Sequence, residues 1–149
     1  MLTRRTTLGL FATLPLALLS GPAMAAEPNV FQNPNAINGY DPVAYFTEGA
    51  PVRGKSEHSV NWNGADWLFS SAENADAFQA DPEAFAPVFG GYCAYAASRG
   101  YLAPTIPEAW TIYEGKLYLN ASLRARKLWL RDVPGNIAKG LNNWPGILG

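Results

Sequence analysis

The run His58-Ser59-Val60-Asn61-Trp62, then Asn63-Gly64, then Ala65-Asp66-Trp67-Leu68-Phe69 carries the clearest structural signal in the chain. Asn-Gly between two alternating runs marks a type I′ hairpin, because both turn positions need positive φ. Pairing across this turn sets Trp62 opposite Ala65, Val60 opposite Trp67 and His58 opposite Phe69. Side chains alternate along a strand, so these six share one apolar face. Glu57, Ser59, Asn61, Asp66 and Ser70 fall on the other face, with Leu68 the exception. One dry face and one wet face suit an antiparallel sheet covered on one side.

Helical signals surround the hairpin. Ser70-Ser71-Ala72-Glu73 reads as a capping box with Ser70 as the N-cap, opening a helix to about Ala80 with Ala75 and Phe78 inward. Asp81-Pro82 restarts a short helix carrying Phe85. Gly90-Gly91 breaks the chain before the alanine-rich stretch Tyr92–Ser98. That stretch predicts a short helix with Cys93 in its first turn and Gly100 as its stop. A second hairpin follows: Trp110–Tyr113, the turn Glu114-Gly115, then Lys116–Leu119. Its apolar face is Trp110, Ile112, Leu117 and Leu119. Ser122 can cap a helix through Arg131, and a last helix begins at Pro134 with Ile137, Leu141 and Trp144 inward. Upstream, Asp41 can cap a helical turn that has Pro42 at its first position. The expected fold class is α+β: a small single domain over residues 36–149, its antiparallel hairpins packed on one face by short helices.

Residues 26–35 read as an extended lead-in, and residues 1–25 as a signal peptide. Arg4 and Arg5 form a positive start, Leu8 to Ser20 is mostly apolar, and Ala23-Met24-Ala25 is a small-x-small cleavage site. The apolar run is too short and too broken to span a bilayer, and no later stretch reaches that length. The arginine pair also suits twin-arginine translocation, with Leu8 in place but Thr7 where Phe is usual. A periplasmic or secreted location is expected. Cleavage after Ala25 would leave 9 basic against 12 acidic residues, which argues against a nucleic-acid partner.

The chemistry-bearing residues are few. Cys93 is the one cysteine, so an internal disulfide is excluded and stability must come from the core. Cys93 has two readings. At a helix start it is a candidate redox thiol, its thiolate favoured by the helix dipole. Behind Tyr92, Tyr95 and the alanines it is a buried small hydrophobe. Gly91 beside it would let a ligand approach the backbone. His58 is the one histidine; it is either a metal ligand or acid–base group, or a residue at the rim of the core. Cys93 and His58 together are a sparse donor set for copper or another soft metal. Nucleophile elbow, phosphate loop and dinucleotide fingerprint are all missing. Arg124, Arg126, Lys127 and Arg131 read as a solvated helix face or an anion site. Asn120-Ala121-Ser122 matches a glycosylation sequon, although capping already accounts for the serine. The five Trp and seven Tyr are either core or a platform for a sugar, a planar cofactor or a partner.

Residues 36–145 resemble the exported branch of the YHS-domain proteins, often described as YHS domain-containing (seleno)proteins. The resemblance rests on Ala36–Phe46, Trp67 through Ser71-Ala72-Glu73-Asn74, Phe89–Tyr95, Trp110 through Gly115–Asn120, and Asn143-Trp144-Pro145. It implies a small α+β domain. The selenoprotein label implies a redox or soft-metal role at the Gly91-Tyr92-Cys93 position, while relatives that accompany copper and heavy-metal transport use paired cysteines that this chain lacks. Three functional expectations follow: a non-catalytic module binding a small ligand or metal, a single-thiol redox protein acting through Cys93, or a structural domain for a protein partner. The first is preferred, because no acid–base group is visible beside the thiol.

Overall fold

The computed structural model describes residues 26–149. The expected leader, its Arg4-Arg5 pair and the expected cleavage site after Ala25 lie outside the described residues. The helices are α1 (Ala44–Thr47), α2 (Ala72–Ala80), α3 (Pro82–Phe85), α4 (Ala94–Ser98), α5 (Leu123–Trp129) and α6 (Val133–Asn143). The strands are β1 (Lys55–Trp62), β2 (Ala65–Phe69), β3 (Trp110–Tyr113) and β4 (Lys116–Leu119). β1 pairs with β2 and β3 with β4, each as a two-stranded antiparallel sheet, so the α+β class holds.

Both hairpins close through turns with two positive-φ residues, Asn63-Gly64 and Glu114-Gly115. That is the geometry that matches strand twist. The expected pairs Trp62↔Ala65 and Val60↔Trp67 are present, but His58 does not face Phe69. An irregularity between Lys55 and Ser59 shifts the register, and Phe69 pairs with Lys55 instead. The cause is tertiary. Tyr40 bridges Arg53, and the Gly54 N–H donates to the Gly39 carbonyl, which draws the start of β1 toward the segment before α1. In the second hairpin Trp110↔Leu119 and Ile112↔Leu117 pair as read from the sequence.

The core has two main parts on either side of β4. Leu117 and Leu119 pack with Trp67, Phe69, Phe78 and Tyr45. Tyr118, between them, points to the other face and joins Phe89, Ala94, Ala97 and Trp129. The second hairpin is therefore covered on both faces, where the alternation had shown only one.

Helix ends differ from expectation in three places. Ser71 caps α2, its Oγ accepting from the Asn74 N–H, and Ser70 is diverted to another partner. Ser122 caps α5 as expected, but the helix ends at Trp129 and a 3-10 turn carries Arg131. Asp132 caps α6, which turns Asn136 and Gly140 inward. Ile137 and Trp144 pack against the second part of the core as expected, whereas Leu141 stays 55% exposed. The lead-in is part of the domain: Val30 is buried, Phe31 donates to the Gly90 carbonyl, and Glu27 donates to the Leu148 carbonyl.

Candidate functional site

Four groups of polar or aromatic residues could carry function, and their geometry separates them. The first centres on Asp41, whose carboxylate is completely buried. Its Oδ1 accepts from the backbone N–H groups of Val43 at 2.8 Å and Ala44 at 3.2 Å, so it does cap the turn before α1. Its Oδ2 accepts from the Ser70 N–H, the Ser70 hydroxyl and the Asn74 amide, each at 2.8 Å. Five donors converge on one carboxylate, which satisfies a buried charge without a cation. The sequence pointed to the cap; the link to Ser70 and Asn74 is tertiary. With every lone pair used inside the protein, Asp41 is a staple.

The second group surrounds Cys93. The thiol is 2% exposed. α4 starts at Ala94, so Cys93 is its N-cap and not part of the expected first turn, its Sγ accepting from the Ala96 N–H at 3.4 Å and donating to Asn120 Oδ1 at 3.4 Å. Asn120 is itself fully buried and also accepts from the Tyr95 N–H at 2.9 Å. Its burial agrees with the capping account of the sequon, since a glycan needs an exposed asparagine. The close backbone approaches expected at Gly90-Gly91 are made by the chain itself. A side chain at Gly90 would collide with the Asn29 carbonyl, and one at Gly91 with Ile37. Tyr95 stacks under the Arg99 guanidinium, 5.0 Å from the ring centroid. Gly91, Tyr92, Cys93 and Tyr95 thus cluster at the start of α4, whereas His58 lies half-buried on the irregular half of β1.

The third is the basic face. Arg124, Lys127 and Arg131 are exposed, as a solvated face requires. Arg126 is not part of it. Its Nε donates to the Trp110 carbonyl at 2.8 Å and to Thr111 Oγ1 at 2.9 Å, which ties α5 to β3.

The fourth group is concave. A cleft of about 230 Å³ is lined by Trp62, Trp67, Phe89, Trp144, Asn29 and Asn63, among others. None of its lining residues is charged, a histidine or a cysteine. The Asn29 amide donates to the Asn63 side-chain oxygen at 3.3 Å on the exposed rim. Its floor contains Phe89, held at φ 63°, ψ 29°. A bulky residue in the left-handed region is strained, and such strain gathers at functional sites. A broader hollow of about 550 Å³ lies between Glu27, Phe31, Tyr92 and Leu102. There the Tyr92 hydroxyl donates to the Pro28 carbonyl, and burial, with Glu27 nearby, raises its pKa. Sequence reasoning identified the tryptophans as a candidate platform but missed Asn29 and Asn63. The Asn-Gly turn explained Asn63 fully, and nothing local marks Asn29.

An α+β domain with a neutral aromatic cleft is the class these features define. The profile of the YHS domain matches residues 43–88, from the residue before α1 to the edge of Phe89. YHS domains are associated with metal handling, copper in particular. No curated protein and no solved structure matches the chain. Copper or another soft metal needs several sulfur or nitrogen ligands converging on one point. Among the described residues no three His, Cys, Asp or Glu side chains are so grouped. Cys93 is buried with its sulfur engaged twice, and Asp41 has no free lone pair. The described residues of this chain do not fit a self-contained metal site.

Proposed function

We propose that this protein is an exported, non-catalytic binding module whose ligand occupies the cleft between Trp62 and Trp144. One observation carries the reading: the cleft is concave and aromatic, yet its lining has no titratable acid, base or nucleophile. Such a site can hold a ligand by burying its faces, and it has nothing to transfer a proton or attack a carbon. Export is supported by the leader sequence, with Arg4-Arg5 ahead of an apolar run and Ala23-Met24-Ala25 behind it. The buried, hydrogen-bonded state of Cys93 supports a structural cysteine over a redox centre.

The test is an NMR survey of small ligands and copper ions against the purified protein. A cleft ligand is expected to shift the indole N–H signals of Trp62 and Trp144 and to be recovered chemically unchanged. Conversion of a ligand to product would remove the non-catalytic reading. Shifts centred on Cys93 when copper is added would move the site from the cleft to the thiol.

A further inference from the structure

We infer that the ligand of this cleft is a neutral saccharide, held as one sugar ring between the two tryptophans; the inference rests on the binding-module reading above. Charge is the first observation. The lining lacks Asp, Glu, Lys, Arg and His, so an ionised ligand would lose hydration without gaining a countercharge. The ligand must be neutral.

Shape is the second. The volume, about 230 Å³, leaves room for a single ring rather than an extended molecule. Trp62 and Trp144 are half-buried, whereas Trp67 and Phe89 behind them are fully covered. The two half-buried indoles therefore offer surface to a ligand, and the other two rings back the site. A pyranose presents a patch of C–H bonds on one face, which suits the negative face of an indole.

The third observation is the amide pair. Asn29 and Asn63 are exposed and joined only to each other across the rim, at a long 3.3 Å. Each carboxamide has donors and an acceptor, the pattern that neighbouring hydroxyls on a sugar complement. The backbone that carries the pair is held in place. Asn63 sits in the tight turn at φ 52°, and the Asn29 carbonyl is packed against Gly90. Apolar walls with a few placed polar groups give a site both affinity and orientation. A flat neutral heterocycle would stack as well and can meet a carboxamide through its ring edge, which makes it the competing occupant.

The test titrates the purified protein with cellobiose, maltose and diacetylchitobiose, following the indole N–H signals of all five tryptophans. Adenine serves as the flat neutral probe and galacturonic acid as the charged one. A neutral disaccharide is expected to shift Trp62 and Trp144 saturably while Trp129 stays unmoved. The double variant Asn29→Ala/Asn63→Gly keeps a residue suited to positive φ in the turn. It should melt at the unchanged temperature and bind the sugar roughly ten-fold more weakly. If adenine shifts the two indoles and no sugar does, the saccharide assignment fails and the cleft survives. If no probe shifts either indole, both readings fall. Undiminished sugar binding by the double variant would also overturn the proposal, as would tighter binding of galacturonic acid.

Discussion

At the scale of single residues, Asp41 is where the fold has most at stake. Its carboxylate joins the start of α1, the end of β2 and the first turn of α2 through five hydrogen bonds. Asp41→Ala would leave those donors buried without an acceptor. The expected loss is roughly 3–5 kcal/mol of unfolding free energy, read from urea denaturation. Asp41→Asn should lose less, because one acceptor oxygen remains. A loss below that of an ordinary surface substitution would mean that water replaces the carboxylate. Cys93 makes the opposite kind of prediction. Buried and bonded to Asn120, it should react with thiol reagents only when the domain opens. Labelling in native buffer is expected to be at least about a hundred-fold slower than in urea. Equal rates in both would restore it as a reactive thiol. The thiol and its neighbours were easy to find in the sequence. The choice between its buried and reactive readings was not, because the wall around it includes Asn120, which lies 27 positions away.

Secondary-structure elements meet at close quarters where α6 crosses Phe89. A Cβ at Gly140 would stand 2.5 Å from Phe89 Cζ, with two more ring carbons at 3.1 and 3.2 Å. In an exposed helix, Gly→Ala gains about 1 kcal/mol from propensity alone. Here the ring has nowhere to retreat, since Tyr118 and Trp144 pack against it at 6.2 and 5.9 Å. Overpacking of that kind costs roughly 1–3 kcal/mol, so Gly140→Ala should lower stability despite its better propensity. A double-mutant cycle with Phe89→Leu should recover most of the loss, and additive effects would disprove the contact. Hairpins and caps were legible at this scale wherever the signal was local. Asn63-Gly64, Glu114-Gly115 and Ser122 behaved as read. Ser70 and Leu141 did not, because a distant carboxylate captured one and the packing of α6 left the other in solvent.

Across the whole molecule, three tyrosines share one property in three different parts of the core. Burial raises the phenol pKa of Tyr45, Tyr118 and Tyr92 above the ordinary value. Glu108, Glu114 and Glu27, respectively, add to it. The folded state therefore holds these protons more tightly than the unfolded chain. Above about pH 10 the unfolded state binds fewer protons, so stability must fall as pH rises. The urea midpoint is expected to be constant below that range and to drop through it, with tyrosinate absorbance from these residues appearing as the domain unfolds. Tyr45→Phe should blunt part of the drop. It would cost about 1 kcal/mol at neutral pH, because the hydroxyl donates to the Pro107 carbonyl at 2.9 Å. A stability curve that stays flat into the alkaline range would show that the three phenols ionise inside the native fold.

The sequence by itself determined the α+β class, both hairpin turns, the caps at Asp41 and Ser122, and the short helix around Cys93. Each depends on residues within a few positions of one another, where φ preference, alternation and capping act directly. The proposed leader, too, is read from sequence alone. Tertiary structure decided the rest. It set the irregular pairing of β1, both faces of β4, and the diversion of Ser70 and Arg126. It also placed Asn29 beside Asn63, 34 positions apart, on one rim. These outcomes follow from which buried polar groups find partners and which faces must be covered. That competition is settled only once the whole chain has packed, and the neutral cleft between Trp62 and Trp144 is one of its products.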